Sequence, residues 1–423
     1  MSQKNPTPNL PRAFRSAPKT GVLFVMAEAE RLGFLRQRDQ WANLGQGAPE
    51  TGNLPGAHAR LQNVAIGLED HEYAPVAGLR PLREAVAQLY NERYRSGKRS
   101  QYTYENVAIC AGGRLALTRL FSVVGHTNVG HFLPDYTAYE ELFSTFGTFI
   151  PIPILAEPGA GYAFTVGQLE REILGRGLSA ILLSNPCNPT GNVIRDDELA
   201  GWVRTAREQD CTLIFDEFYS HYIYDGPESS ISACEHVQDV NRDPVVVIDG
   251  LTKNWRYPGL RVSWTVGPKE IIDAVTSAGS YLDGGCSRPM QKAALELVSL
   301  DIANREAKAI QTAFGAKREV MAAGLSELGI AVDGLPAGGF YCWGDVSGLG
   351  PECNTGSSFL NAALASKTIV VPGGFFDINP GKRRQGRACR FGNFVRFSFG
   401  PPMQEVQMGL AQLGAALAES SRS

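Results

Sequence analysis

LSAILLSNPCNPTGNVIRDDELAGWVRTAREQDCTLIFDEFYS, Leu178 to Ser220, holds the unit that decides the fold. Two short apolar runs, LSAILLS and CTLIF, flank the amphipathic stretch DDELAGWVRTAREQD. Unbroken hydrophobicity suits a strand buried on both faces, and the stretch between has helical period. The same alternation continues outward through NVAICAGG, TNVGHFLPDY and DPVVVIDGL, with PLREAVAQLYNERYR as a further helix. The pattern predicts an α/β fold: a large domain whose mostly parallel sheet is sandwiched by helices. Ligands in such sheets sit outside the carboxyl ends of the strands. Past about residue 285 a long helical stretch, 288–329, precedes the strand-like pieces GGFYCWGDV, TIVVPGGFF and NFVRFSFG. That texture predicts a second, smaller α/β domain. The expected boundaries are 1–45 for an N-terminal arm and part of the small domain, 46–285 for the large domain, and 286–423 for the C-terminal small domain.

Composition narrows the function. Net charge is −3 over 423 residues, so no global field draws nucleic acid or an anionic membrane. No apolar run approaches the ~20 residues that span a bilayer, and the polar N-terminus lacks a signal-peptide core. Eight cysteines lie scattered without a C-x-x-C pair, and six histidines show no ligand spacing. Reduced thiols in a cytoplasmic protein fit this usage better than disulfides, and no metal site is expected.

The strand ends carry the chemistry. In DGLTKNWRYPGLRVSW, Lys253 follows a buried-looking strand, where poor hydration lowers a lysine's pKa and frees it to attack a carbonyl. Arg261, eight residues on, offers a fork to a phosphate. A phosphorylated aldehyde would satisfy both and neutralise the crowded cations. Asp216 ends the run TLIF, and a buried carboxylate needs a cation. A protonated pyridine nitrogen would serve: at about 4 Å and an effective dielectric near 20 the attraction is roughly 4 kcal/mol. Taken alone, Asp216 also suits a helix cap. Gly112 and Gly113 stand between a strand and a helix, where free amides hold phosphate. Tyr136 in PDYTAY could stack on a heteroaromatic ring, though an aromatic after a strand is usually core. In NPCNPTG, Asn188 could hydrogen-bond a phenolic oxygen, as could Tyr219.

These motifs, taken in order, resemble the class I/II aminotransferase family, pyridoxal 5′-phosphate enzymes of the aspartate-aminotransferase fold (fold type I). The likeness runs from NLGQGAPE at Asn43 to VRFSFG around Arg396 and rests on NPCNPTG, DEFYS and the block from Thr252 to Arg261. It implies that Lys253 forms the internal aldimine and moves a proton by way of a quinonoid, giving a keto acid from an L-amino acid. Asp216 would pair with the pyridinium, Asn188 and Tyr219 would bind the phenolic oxygen, and Tyr136 would stack. Arg261 and the amides of Gly113 and Arg114 would hold the phosphate, beside Gly112. Tyr73 matches a tyrosine that reaches the neighbouring subunit's phosphate, implying a homodimer. Arg396 would grip the substrate α-carboxylate against the backbone of Gly47.

The chain departs from that pattern at Gly250 and Ser263, where serine and glycine are usual, and at Thr252 and Arg114. Arg114 is expected to compensate near the phosphate for the hydroxyl missing at Gly250. Arg256 has no assigned role. The basic run Lys382, Arg383, Arg384, Arg387 and Arg390 reads either as a solvated loop or as a lid that recruits an anionic substrate. The competing chemistry on the same cofactor is elimination, replacement or a cyclising synthase reaction. A DNA-binding regulator would carry a helix-turn-helix ahead of NLGQGAPE, and fewer than 45 residues precede it here.

Overall fold

Strands buried on both faces need helices above and below them, and the computed structural model, which describes residues 11–14, 19, 21–384 and 389–420, shows that arrangement. Helix α1 (Val22–Arg31) leads to the two-residue strand β1 (Ala42–Asn43). The main sheet contains β2 (Val107–Cys110), β3 (Asn128–Leu133), β4 (Ile150–Leu155), β5 (Leu178–Ser184), β6 (Thr212–Asp216), β7 (Val245–Gly250) and β8 (Ser263–Val266). Their order is β2-β8-β7-β6-β5-β3-β4. All pairings are parallel except those of β8, which runs antiparallel to both β7 and β2. Every residue of β2, β7 and β8 is buried, which explains their unbroken apolar runs.

Two strands escape the sequence pattern. Edge strand β4 reads IPIPIL, and its prolines disguise it while removing two N–H donors, as suits an edge. Strand β8 is only four residues long and follows a turn too closely to announce itself. Helices α2 (Arg80–Tyr94), α3 (Gly113–Ser122), α4 (Ala138–Thr145), α5 (Val166–Arg176), α6 (Asp196–Glu208) and α7 (Lys269–Leu282) flank the sheet. Of these, α3 and α7 pack together against β2, while α5 and α6 pack together on β5 and β6.

The stretch expected as one long helix is two, α8 (Arg288–Leu295) and α9 (Leu300–Glu327). Ser299 causes the restart: its side chain accepts the amide of Ile302 and caps α9. A second sheet, wholly antiparallel, joins β9 (Ala331–Val332), β10 (Tyr341–Asp345), β12 (Val371–Pro372) and β13 (Phe394–Ser398) in the order β12-β13-β10-β9. Strand β11 (Thr368–Ile369) instead pairs in parallel with β1. Helices α10 (Gly356–Ala365) and α11 (Met403–Ser420) complete this part, and α11 packs on α9, α10 and β1. Because β3, β5, β6 and β7 share one direction, Asp135, Asn185, Asp216 and Lys253 emerge at the same edge.

Candidate active site

Lys253 sits in a turn whose backbone is tied down by its neighbours. Its carbonyl accepts the Tyr222 hydroxyl at 3.0 Å and the Arg256 amide at 2.9 Å. The next residue, Asn254, is buried and donates to Glu217 O, Ser220 Oγ and Asp249 Oδ1 at 2.8–3.0 Å. The half-buried amine itself donates to the carbonyl of Gly47. Burial, then the guanidiniums of Arg396, Arg114 and Arg261, push its pKa down to about 7, and Asp216 opposes them.

Asp216, at the end of β6, is buried and accepts the Tyr139 hydroxyl at 2.8 Å. Burial raises its pKa to about 6, with the Tyr139 hydrogen bond pulling the other way. Tyr139 meets Tyr136 edge to face at 5.4 Å, and Arg114 Nη2 donates to the Tyr136 hydroxyl at 2.9 Å.

Beside them the turn from β2 into α3 forms a cradle. Gly112 has φ +94°, and a Cβ there would lie 1.9 Å from Arg261 Nη2. A Cβ on Gly113 would come within 2.4 Å of the Phe218 ring. Only glycine lets the helix N-terminus and the Arg261 guanidinium approach this closely. Gly250 and Ser263 face each other across β7 and β8, and a Cβ on Gly250 would meet the Ser263 Cα at 2.5 Å. Two of the departures from the family pattern are therefore neighbours. Ser263 Oγ donates to Cys110 O at 3.2 Å, beneath the cradle.

On the other side, Arg396 projects from β13. It is buried, donates to Asn188 Oδ1 at 3.0 Å and Gly45 O at 2.8 Å, and lies 4.2 Å from the Tyr341 ring centre. Its Nε has no partner among the described residues. Asn188 is held in turn by Ser184 Oγ, which accepts its amide at 3.1 Å. The Tyr219 hydroxyl pairs with that of Tyr341 at 2.8 Å. Asn188 and Tyr219 thus contact Arg396 and Tyr341, the groups that shape the pocket wall. Tyr73 stands apart, 94% exposed.

The family described as "Aminotransferase class I and II" matches residues 39–413. The chain is 29% identical over 355 residues to an aspartate/prephenate aminotransferase of Thermus thermophilus, covering 82% of this chain and 87% of that protein. It is also 29% identical over 361 residues to a probable N-succinyldiaminopimelate aminotransferase of Mycobacterium tuberculosis, covering 84% and 87%. The solved structure of the Thermus thermophilus aspartate aminotransferase with maleate superposes with a TM-score of 0.76 at 24% identity, over 96% of this chain and 97% of that one. The chain belongs to the class I and II aminotransferase family. It is an aminotransferase, and its fold is that of aspartate aminotransferase.

The structure gives this aminotransferase residues that the sequence did not reveal. Tyr139, the second tyrosine of PDYTAY, holds Asp216, and Tyr341, in GGFYCWGD, joins Arg396 to Tyr219. Their types gave no signal, since an aromatic near a strand usually belongs to the core. Arg256 is buried and bonds to Glu306. In the basic run, Lys382 pairs with Glu140 on α4, while Arg384 and Arg390 pair with Asp377, at 2.7 and 3.4 Å for the latter two. Much of that charge is thus balanced within the chain; Arg387 lies outside the described residues. Among the described residues no group of histidine, cysteine, aspartate and glutamate is arranged to hold a metal, and no helix is long and apolar enough to cross a membrane.

Proposed function

We propose that this aminotransferase uses pyridoxal 5′-phosphate held by Lys253 and acts on an L-amino acid with an anionic side chain. One observation carries the reading. A lysine amine with a pKa near 7 lies between the glycine cradle under Arg261 and the buried Arg396, with Asp216 close enough to affect it. The residues suit the cofactor, since the cradle has no room for a Cβ and Asp216 is a buried carboxylate in want of a cation.

When bound, pyridoxal phosphate supplies an aldehyde for the lysine and a ring that accepts electrons. Asp216 would hold the ring nitrogen protonated, braced by Tyr139. Asn188 and Tyr219 would donate to the phenolic oxygen, and Tyr136 would cover the ring. Arg261 and the amides of Gly113 and Arg114, beside Gly112, would take the phosphate, joined by Tyr73 from a second copy. Arg396 would grip the substrate α-carboxylate beside Gly47. Lys253 Nζ would then carry the proton between the substrate Cα and the cofactor's C4′.

The anionic preference is supported by Arg114, a third cation near Lys253 besides those for phosphate and α-carboxylate. Relatives named for aspartate, prephenate and N-succinyldiaminopimelate agree, as each of those compounds carries more than one carboxylate. We also place the protein in the cytoplasm as a homodimer, with 46–285 as the cofactor domain and 286–423 as the small one.

The test is to load purified protein with the cofactor, add single L-amino acids, and follow the visible spectrum and the keto acid formed. Aspartate or glutamate is expected to change the spectrum and yield its keto acid stoichiometrically, and Lys253→Ala to abolish turnover. Release of free ammonia in place of transfer to an acceptor would overturn the reading, as would failure to take up the cofactor.

A further inference from the structure

Arg256 stands out because its surroundings are unusual for an arginine so near a surface loop. It is fully buried and has φ +56°, a left-handed conformation uncommon for any residue but glycine. Its Nε donates to Glu306 Oε1 on α9 at 2.6 Å. Its Nη1 donates to the carbonyls of Glu50 at 3.1 Å and Gly52 at 2.7 Å. Arg60 supports it by donating to the carbonyls of Trp255 at 2.9 Å and Arg256 at 2.6 Å.

The loop that Arg256 holds is the one that both ends of the site touch. Gly45 O takes Arg396 Nη2 at 2.8 Å, and Gly47 O takes the Lys253 amine. The near end of this loop is fixed by packing, since a Cβ on Gly45 would be 3.0 Å from Ile369. The far end, Thr51 and Gly52, is exposed and has no apolar anchor of its own. Besides the Glu50 amide, which donates to Gly400 O at 2.8 Å, two buried cations hold it: Arg256, and Lys317, which pairs with Glu50 at 2.6 Å. Arg256 lies three residues after Lys253, and its amide closes the lysine's own turn. One side chain thus joins the turn that presents the amine to the loop that receives it.

We propose that Arg256, locked by Glu306, is a positioning residue: it fixes the Gly45–Gly52 loop so that the Gly45 carbonyl stays on Arg396 and the Gly47 carbonyl stays on Lys253. The inference rests on the proposed roles of Arg396 and Lys253. A loosened loop frees Arg396 from one of its two partners and admits water around the amine. The first effect spoils the α-carboxylate site, and the second raises the lysine pKa, because less burial favours the charged amine. Arg60 also lies 3.6 Å from Glu306, so a variant lacking Arg256 does not leave that carboxylate without a cation.

The experiment compares Arg256→Met, Arg256→Lys and Glu306→Gln in the cofactor-loaded protein, with Arg396→Lys as a control. The readouts are KM for the amino acid, kcat, and the pH midpoint of cofactor uptake by the stripped protein. Arg256→Met is expected to raise KM about tenfold with kcat within about threefold, and to move the uptake midpoint above pH 7 (tenfold being ~1.4 kcal/mol of lost binding). Arg256→Lys, which keeps the charge but not the fork, is expected to recover part of KM. An Arg256→Met protein that melts earlier yet keeps both KM and the midpoint would show a purely structural arginine and overturn the proposal. Should the methionine variant not fold, an Arg256→Lys protein with wild-type KM and midpoint overturns it equally. If Arg396→Lys leaves KM unchanged, the reading of the carboxylate site fails instead, so the two failures are distinguishable.

Discussion

At the scale of single residues, the site depends on how far a lysine can be made to give up its proton. Lys253 is half-buried and faces three guanidiniums against one carboxylate, and its pKa falls to about 7. The neutral amine, which attacks aldehydes, therefore dominates above pH 7 and is scarce below it. Uptake of pyridoxal phosphate by the stripped protein is expected to accelerate with pH and reach half its limiting rate near 7. Arg114→Met removes one of the cations that lower this pKa, so the midpoint moves up by a fraction of a unit. It also loosens Tyr136, whose hydroxyl accepts from Arg114 Nη2. The pH profile separates the two consequences. Lost charge shifts the midpoint, whereas a loosened ring lowers the plateau alone. A profile identical to wild type would remove Arg114 from the set of groups that tune the lysine.

At the scale of elements, the strand ends place the chemistry and the gaps between strands limit it. Gly250 on β7 lies so close to β8 that a Cβ would meet the Ser263 Cα at 2.5 Å and the Val262 carbonyl at 2.6 Å. These are backbone atoms and cannot rotate away. Gly250→Ser, though it inserts the hydroxyl that the family resemblance leads one to expect, must push the strands apart. We expect it to cost ~1–3 kcal/mol, seen as a melting midpoint several degrees lower and cofactor affinity no better than wild type. Tighter cofactor binding by this variant would show that the strands separate freely. The same example marks what the sequence could convey. Lys253, Asp216 and the glycine cradle were legible because each stands where an apolar run stops, a position that local pattern defines. Tyr139 and Tyr341 were not, because their partners Asp216 and Tyr219 lie 77 and 122 residues away along the chain. Arg256 was visible but unexplained, since its partners are 50 residues ahead at Glu306 and 206 behind at Glu50. Strand β4 was hidden by its prolines and β8 by its brevity. Pattern reveals contacts along an element, while contacts between distant elements need the fold.

At the scale of the whole molecule, one stretch is at odds with a chain that works alone. Between Gln62 and Ala74 the side chains of Ile66, Leu68 and Tyr73 are 63%, 88% and 94% exposed. Their backbone is nevertheless fixed, because Glu69 and Asp70 pair with Lys292 on α8 at 2.8 and 2.9 Å. A braced segment that presents large apolar groups to water is the usual mark of a surface covered by another chain. The homodimer proposed above would cover it and bring Tyr73 to the phosphate cradle of the partner. Leu68→Asp sets a carboxylate against that surface and is expected to give monomers by analytical ultracentrifugation, with cofactor affinity reduced because the cradle loses its tyrosine. Tyr73→Phe keeps the apolar area, so it is expected to stay dimeric while binding the cofactor at least about tenfold more weakly, by the loss of one hydrogen bond to a charged group. The pair of variants separates assembly from ligation. Wild-type affinity in a monomeric Leu68→Asp protein would mean that each copy completes its own site.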